Sequence, residues 1–374
     1  MRFSDIHGLA GIKEHLISSV KRNHVAHAQL FSGVEGSAVL PMALAFATYL
    51  NCDNPGEEDA CGTCPSCAKS LKYIHPDMHF VFPVSSTDKV TGKEVVSKSF
   101  LPAWREFLLT NPYGNSVDWA HAFGGENKQL NISRQESREI IEALSLKAFE
   151  GKFKIMILWM PELMHPGAAN GILKVLEEPA DKTVFLLVSA NKDRLLPTIL
   201  SRTQLVRIPG FTDEELIHIL SSEQAIETGK ATQLAHLADG SLRTALQINA
   251  EADINIHSMF AEWMRHCFQN NFTELTALSD KFSSLSKSAQ KSLLLYSLEI
   301  LRDSLVVGQE ETELQRMSGE ALAFVQNFSK TLNLVIIDQL SRQISEAHYH
   351  LERNVNAKLV FMNLSIIISN SFNR

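Results

Sequence analysis

Three things are scarce in this 374-residue sequence. Cysteine is one: there are five, and four of them fall within residues 52–67. Basic charge is another. Thirty-five Lys and Arg against 42 Asp and Glu leave a formal net charge of −7, which argues against a broad non-specific DNA-binding face but leaves room for a local basic patch. Long apolar runs are the third. None reaches the roughly 18 residues of a membrane span, and the opening MRFSDIHGLAGIKEHL lacks the apolar core of a secretory signal. A soluble, cytoplasmic protein without a membrane partner is the expectation. Hydrophobic residues, in contrast, make up 45% of the chain, enough for two or three domains with real cores.

A further absence is local. The stretch LFSGVEGSAVLPMALAFA, Leu30 to Ala47, opens like a phosphate-binding loop and then departs from one. Such a loop cradles phosphates with backbone amides, neutralises them with Lys and binds magnesium through Ser or Thr. Here Ala38, Val39 and Leu40 stand where Gly-Lys-Ser/Thr is required. The later strand KIMILW runs into Trp159, Met160 and Pro161, and its first following carboxylate is Glu162. Two independent metal–phosphate elements are missing, so magnesium-ATP hydrolysis at this site is not expected.

The clustered cysteines read CDNPGEEDACGTCPSC: Cys52, Cys61, Cys64 and Cys67 in a C-x8-C-x2-C-x2-C spacing. Two disulfides could use the same residues, but they need an oxidising compartment. Four thiolates closing a tetrahedral structural zinc site suit a reducing cytosol better, and four sulfurs leave no open position for water or substrate. Cys267 lies in a helical pattern and reads as an ordinary buried thiol.

Strands are expected at Ala28–Ser32, Met78–Phe82, Ile155–Trp159, Val184–Ser189 and Leu205–Ile208, with helical patterns between several of them. One helix covers Ser133–Phe149 and places Ile140, Ile141 and Leu144 on one face. This alternation predicts a parallel α/β sheet. An insertion of about residues 85–128, punctuated by Gly, Pro and Asn, interrupts it, and its role is not legible. After Arg207–Phe211 the pattern is helical, beginning with a Thr212–Glu215 capping box. Three parts are expected: an α/β domain over 1–208, a small helical domain over 209–252 and a helical bundle over 253–374. Lys147, Lys152 and Lys154 form a basic cluster that reads as a solvated face rather than a DNA contact.

Several blocks appear together and in order: HAQLFSGVEG, the four-cysteine module, HPDMHFV, IIEALSLKAFEGKFKI, AANGILKVLEEP, LLPTILSRTQ, GSLRTAL and LERNVNAKLVFMNLSI. With them the chain resembles the delta-prime family of bacterial DNA polymerase III clamp-loader subunits, within the AAA+ superfamily, along nearly its whole length. The resemblance implies an AAA+ parallel-sheet domain with a zinc module, a helical lid and a C-terminal helical collar used in oligomerisation. It implies a subunit that is not an enzyme by itself. Its partners would be gamma/tau-like ATPase and delta-like subunits, with primer–template DNA and the sliding clamp reached through the complex. An arginine after an apolar helix is ordinarily a solvated end residue. The family's arginine finger, in Ser-Arg-Cys, falls here on Ser201–Arg202–Thr203, which implies that Arg202 reaches a neighbour's ATP; Thr203 replaces the family's Cys. Arg243, in GSLRTAL, matches the position from which ATP-binding relatives reach their own nucleotide and reads as structural here. Two other classes of reading are an active AAA+ ATPase, opposed by Val39, Leu40 and Trp159, and a zinc-dependent nucleic-acid-binding module. The second is opposed by the negative charge and by the lack of interleaved basic and aromatic residues around the cysteines.

Overall fold

The computed structural model describes residues 1–126, 128–250, 256–308, 319–353 and 355–372; the expected boundary at 252/253 lies outside the described residues. The chain divides into two compact units, Met1–Ile219 with Asp239–Arg243, and Leu220–Ala238 with Thr244–Arg374.

The first unit is built on five strands: β1 (Ala28–Gly33), β2 (Met78–Val81), β3 (Lys154–Trp159), β4 (Thr183–Ser189) and β5 (Gln204–Ile208). They pair in the order β2-β3-β4-β1-β5, every pair parallel, with Leu30 beside Leu187 and Leu205, and Ile157 beside Leu186. The ends match the expected strands to within a residue. β3 and β4 are buried at every position, because a parallel strand covered on both faces has no polar side to present and reads as a continuous apolar run. β5, at the sheet edge, buries only Val206 and Ile208. The sheet, with helices on both faces, fits the α/β AAA+ fold expected from the resemblance.

Helices α1 (Ala10–Lys21), α2 (Val39–Asn51) and α3 (Pro65–Ser70) come first. Every residue of α2 is buried, as a helix apolar on all sides must be, and Phe46 packs against Phe31 of β1 at 6.2 Å between ring centres. α4 (Leu101–Thr110) and α5 (Ser116–Phe123) lie in the insertion. α6 (Arg134–Ser145), α7 (Pro166–Glu177) and α8 (Pro197–Leu200) cover the sheet face that carries Leu30, Met156, Leu158 and Leu187. On α6 the buried stripe is Glu136, Ser137, Ile140 and Leu144. Ile141 is exposed, one residue and so about 100° round from Ile140 on a 3.6-residue helix, which corrects its expected place on the core face. The helix also stops at Ser145 rather than Phe149, where the buried Lys154 ammonium donates to the carbonyls of Ala143 and Leu146 at 2.8 and 2.6 Å. A cation at a helix C-terminus satisfies groups the helix leaves unpaired.

The insertion is a folded layer rather than an open loop. Trp104 and Trp119 are fully buried, and with Phe82, Phe107 and Trp159 they form a ring cluster with centre separations of 4.3 to 6.0 Å. Asn115 and Asp118 close a capping box on α5.

Among the described residues, nothing after Ile208 is in a strand. α9 (Asp213–Ser222) begins with the expected box: the Thr212 amide donates to Glu215 at 2.9 Å and the Glu215 amide donates to the Thr212 hydroxyl at 3.2 Å. α10 (Thr228–Ala238) and α11 (Leu242–Ala250) follow. The second unit also holds α12 (Ile256–Phe268), α13 (Phe272–Ser284), α14 (Lys287–Gly308), α15 (Gly319–Phe328), α16 (Leu334–Glu352) and α17 (Ala357–Phe372). Its core centres on Phe361, stacked on Phe282 at 4.4 Å and on Trp263 at 4.6 Å, with the Trp263 indole donating to the Ser365 hydroxyl at 2.8 Å. Cys267 is buried in that core and its thiol faces the Ser365 carbonyl.

Candidate functional site

The four clustered cysteines are brought together by the end of α2 and the start of α3. All are free thiols, and their sulfurs lie within 4.8 Å of one another. Cys52 and Cys61 are 3.5 Å apart and Cys61 and Cys67 3.9 Å. A tetrahedron with metal–sulfur bonds of about 2.3 Å has edges of about 3.8 Å, so the set is already spaced to hold a metal ion. The backbone amides of Cys61, Cys64 and Cys67 donate to the sulfurs of Cys52, Cys61 and Cys64 at 3.3–3.4 Å, contacts that stabilise thiolates. The backbone amides of Thr63 and Cys64 bring the Cys61 thiol down to about 6, while burial pushes those of Cys67 and Cys52 up. Gly62, at φ +73°, makes the turn between ligands. The module is fixed to the sheet by Asn51, which exchanges hydrogen bonds with the Phe153 backbone at 2.9 and 2.8 Å. Lys152 donates to the Cys52 carbonyl at 2.5 Å.

Lys152 and Lys154 are thus structural cations, each committed to backbone carbonyls. Lys154 is buried, which corrects its place on the solvated lysine face; Lys147 and Lys152 are exposed, although the Lys152 ammonium is held by the Cys52 carbonyl. The neighbouring loop is equally fixed. Asp77 accepts from the amides of Phe149, Glu150 and Gly151 at 2.6–2.8 Å, which together outweigh its burial and hold its carboxyl below the usual range.

The loop after β1 lies at the carboxyl ends of the parallel strands, where α/β sheets place their ligands. Its glycines survive for backbone reasons. A Cβ on Gly33 would lie 2.0 Å from the Ile208 carbonyl oxygen, and one on Gly36, at φ +76°, would meet Ser241 Oγ at 2.5 Å and Arg243 Cβ at 2.7 Å. Val39 and Leu40 are buried at the start of α2 and offer no charge or hydroxyl. Trp159 belongs to the aromatic cluster, and β3 turns away at Met160, which has φ +55°. Burial raises the Glu162 carboxyl, with a Ser189 hydrogen bond pulling the other way. The cleft bounded by Val34–Ser37, Pro112–Gly114, Trp159 and Met160 encloses about 30 Å³, room for about two waters at 10–15 Å³ each.

Arg243 is tied to the insertion. Its Nη2 donates to Asp118 Oδ1 at 2.9 Å and its Nε to Oδ2 at 2.5 Å, a bidentate fork. Burial acts against the Asp118 carboxylate, but the Arg243 guanidinium and the Asn115 amide hold its pKa below the usual range.

Arg202 follows α8, with Ser201 as the cap. It is half-buried rather than a fully solvated end residue, and it has one carboxylate contact. Nε donates to Glu177 Oε2 at 3.3 Å, and Nη1 to the Thr198 carbonyl at 3.1 Å and Ser201 Oγ at 3.2 Å. The pairing arises because α7 ends beside α8, bringing the end of LKVLEEP to the Ser-Arg-Thr turn. Thr203 turns its hydroxyl back to the Ile199 carbonyl at 3.2 Å.

A family model described as DNA polymerase III, delta subunit, matches residues 9–212. The DNA polymerase III subunit tau/gamma of Haemophilus influenzae is 25% identical over 255 residues, covering 67% of this chain and 30% of that protein. The DNA polymerase III subunit delta' of Pseudomonas aeruginosa is 28% identical over 232 residues, covering 60% of this chain and 56% of that protein. The chain therefore spans about a third to a half of the length of these relatives. Among solved structures, a DNA polymerase III gamma subunit-related protein of Thermotoga maritima covers 96% of this chain and 99% of its own at 17% identity and a TM-score of 0.36.

Proposed function

The chain belongs to the DNA polymerase III delta-subunit family, and from that premise we propose that it is a delta-prime-like clamp-loader subunit that turns over no nucleotide itself and lends Arg202 to a neighbour's ATP site. The observation that carries this reading is the separation of two halves of an ATP site within one chain. The loop at Val34–Leu40 has lost its phosphate and magnesium ligands, while an arginine suited to phosphate stays part-exposed at a different edge of the same unit. The Arg202–Glu177 contact supports the role. It is a single-point pair whose side chains are 31% and 57% exposed, and such pairs contribute only about 0–1 kcal/mol. A γ-phosphate from an adjacent subunit can displace Glu177 at little cost and receive a fixed planar cation.

In this reading the chain helps load a sliding clamp onto primed DNA, with gamma/tau-like and delta-like subunits as partners. Cys52, Cys61, Cys64 and Cys67 hold a structural zinc ion. Residues 1–208 form the AAA+ domain, 209–252 a lid and 253–374 a collar, and the complex works in the cytoplasm. The test is reconstitution with such partners, clamp and primed DNA. Arg202→Ala and Arg202→Lys should both assemble, fold within about 1 kcal/mol of wild type, and lower DNA-stimulated ATPase and loading. A finger changes its own site by about 10³–10⁵, but other sites in the ring carry their own arginines, so the loss is partial. Wild-type loading by Arg202→Ala at limiting ATP would remove the role in trans.

A further inference from the structure

The segment whose role the sequence leaves open covers the loop whose chemistry is missing. Asp118 closes the α5 capping box by accepting from the Asn115 amide at 2.9 Å, and the same carboxylate takes the Arg243 guanidinium in a fork. The two side chains are only 25% and 17% exposed. Arg243 in turn rests on the loop: its amide donates to the Gly36 carbonyl at 3.2 Å. The turn joining α4 to α5 lies over the mouth of the cleft through Pro112, Tyr113 and Gly114, and the Tyr113 ring is 6.0 Å from Phe211. Behind the loop, Trp104 and Phe107 pack on Trp159 at 5.0 and 6.0 Å. One insertion thus supplies an anion, a cover and an aromatic floor.

We infer that the insertion, through α4, α5 and the turn between them (residues 101–123), is a built-in occupant of the nucleotide cleft. The Asp118 carboxylate gives Arg243 the anion that a bound nucleotide phosphate would otherwise give it, and the Pro112–Gly114 turn closes the mouth. The Val34–Leu40 loop is held in one arrangement with no ligand. A subunit so built keeps the same state whatever the nucleotide status of its neighbours. Restoring the lost loop residues is then not enough to restore binding, because the site is already filled from within.

The inference rests on the reading that this chain turns over no nucleotide at its own loop, but it concerns the isolated chain and leaves the Arg202 test in the assembled complex untouched. Two readouts are needed. Hydrogen exchange of amides 33–40 should speed up about tenfold or more in Tyr113→Ala/Asp118→Ala, with β3 and β4 unchanged as the control for folding. Asp118→Asn alone, which keeps an oxygen to accept from the Asn115 amide, should move the same amides less. In the second, the loop is restored by Ala38→Gly, Val39→Lys and Leu40→Thr, and ADP binding is titrated with the insertion's anchors intact and with Tyr113→Ala/Asp118→Ala added. The opened chain should bind ADP at least about tenfold more tightly, a difference of about 1.4 kcal/mol. Unchanged exchange at 33–40, or equal ADP affinity of the two restored chains (no binding by either included), overturns the inference.

Discussion

Glu136 shows how one buried group makes stability depend on pH. It is 2% exposed, and burial pushes its carboxyl up to about 7, with the Ser97 amide, donating at 2.9 Å, pulling it back only in part. A folded pKa above the unfolded value of about 4.5 means that the native state holds the proton longer. The group is without penalty below pH 4.5, costs stability as pH rises through 7, and costs its full amount above that. Glu136→Gln keeps an acceptor for Ser97 and cannot ionise. It should match wild type at pH 4.5 and exceed it at pH 8 by on the order of 3 kcal/mol, read from urea unfolding at both pH values. A variant with no pH-dependent gain would show that the carboxyl is better solvated than its burial implies. Lys154 makes a simpler case. Its ammonium caps α6, so Lys154→Met should cost about 1–3 kcal/mol by leaving two carbonyls unpaired, with no effect on any DNA contact.

At the scale of elements, the cysteine module and the insertion differ in what holds them. The module has little apolar core of its own, so a metal bound by its four cysteines would supply much of its folding energy, about 10–16 kcal/mol of apparent binding free energy in comparable small modules. One zinc per chain should be found in pure protein. Cys64→Ser should lose it and loosen residues 52–67, seen as faster exchange there and lower solubility. Metal-free protein with all thiols titrating freely under native conditions would reject the site. The insertion is held by rings. Trp119→Ala removes a fully buried indole and its 2.8 Å hydrogen bond to the Pro83 carbonyl, and should cost about 3–5 kcal/mol with loss of near-ultraviolet circular dichroism. The sheet strands were easy to locate in the sequence because strands covered on both faces appear as plain apolar runs. α4 and α5 were not, since Gly114, Pro112 and Gly124 broke up the window and masked the Trp104–Phe107–Leu108 and Trp119–Phe123 spacings.

At the scale of the whole molecule, the question is which reactions it can run alone. The isolated chain should show no magnesium-dependent ATP hydrolysis, and Val39→Lys alone should not create any, because Leu40 and Trp159 still cannot hold magnesium. The check is phosphate release by purified protein. Turnover that survives repurification and disappears when this same loop is mutated would refute it. The family match covers residues 9–212, and a role for the helical second unit belongs to the proposed function.

Residue identity by itself determined what this protein lacks and which side chains it offers a ligand: no lysine at position 39 and no hydroxyl at position 40, no carboxylate at the end of β3, and four cysteines at ligand spacing. Local periodicity determined the strands, α2 and the helical half, because each of those signals is contained within one element. The tertiary structure alone decided where the charges go. Asp118 and Arg243 are 125 residues apart and Glu177 and Arg202 are 25 apart, and no local pattern reports a partner at such distance. Two glycines that looked like remnants of phosphate binding are required instead by the Ile208 carbonyl and by the Ser241–Arg243 turn. Close packing against the Ile208 backbone at Gly33 and against the Ser241 and Arg243 side chains at Gly36, which only the folded chain brings about, leaves no space there for a Cβ.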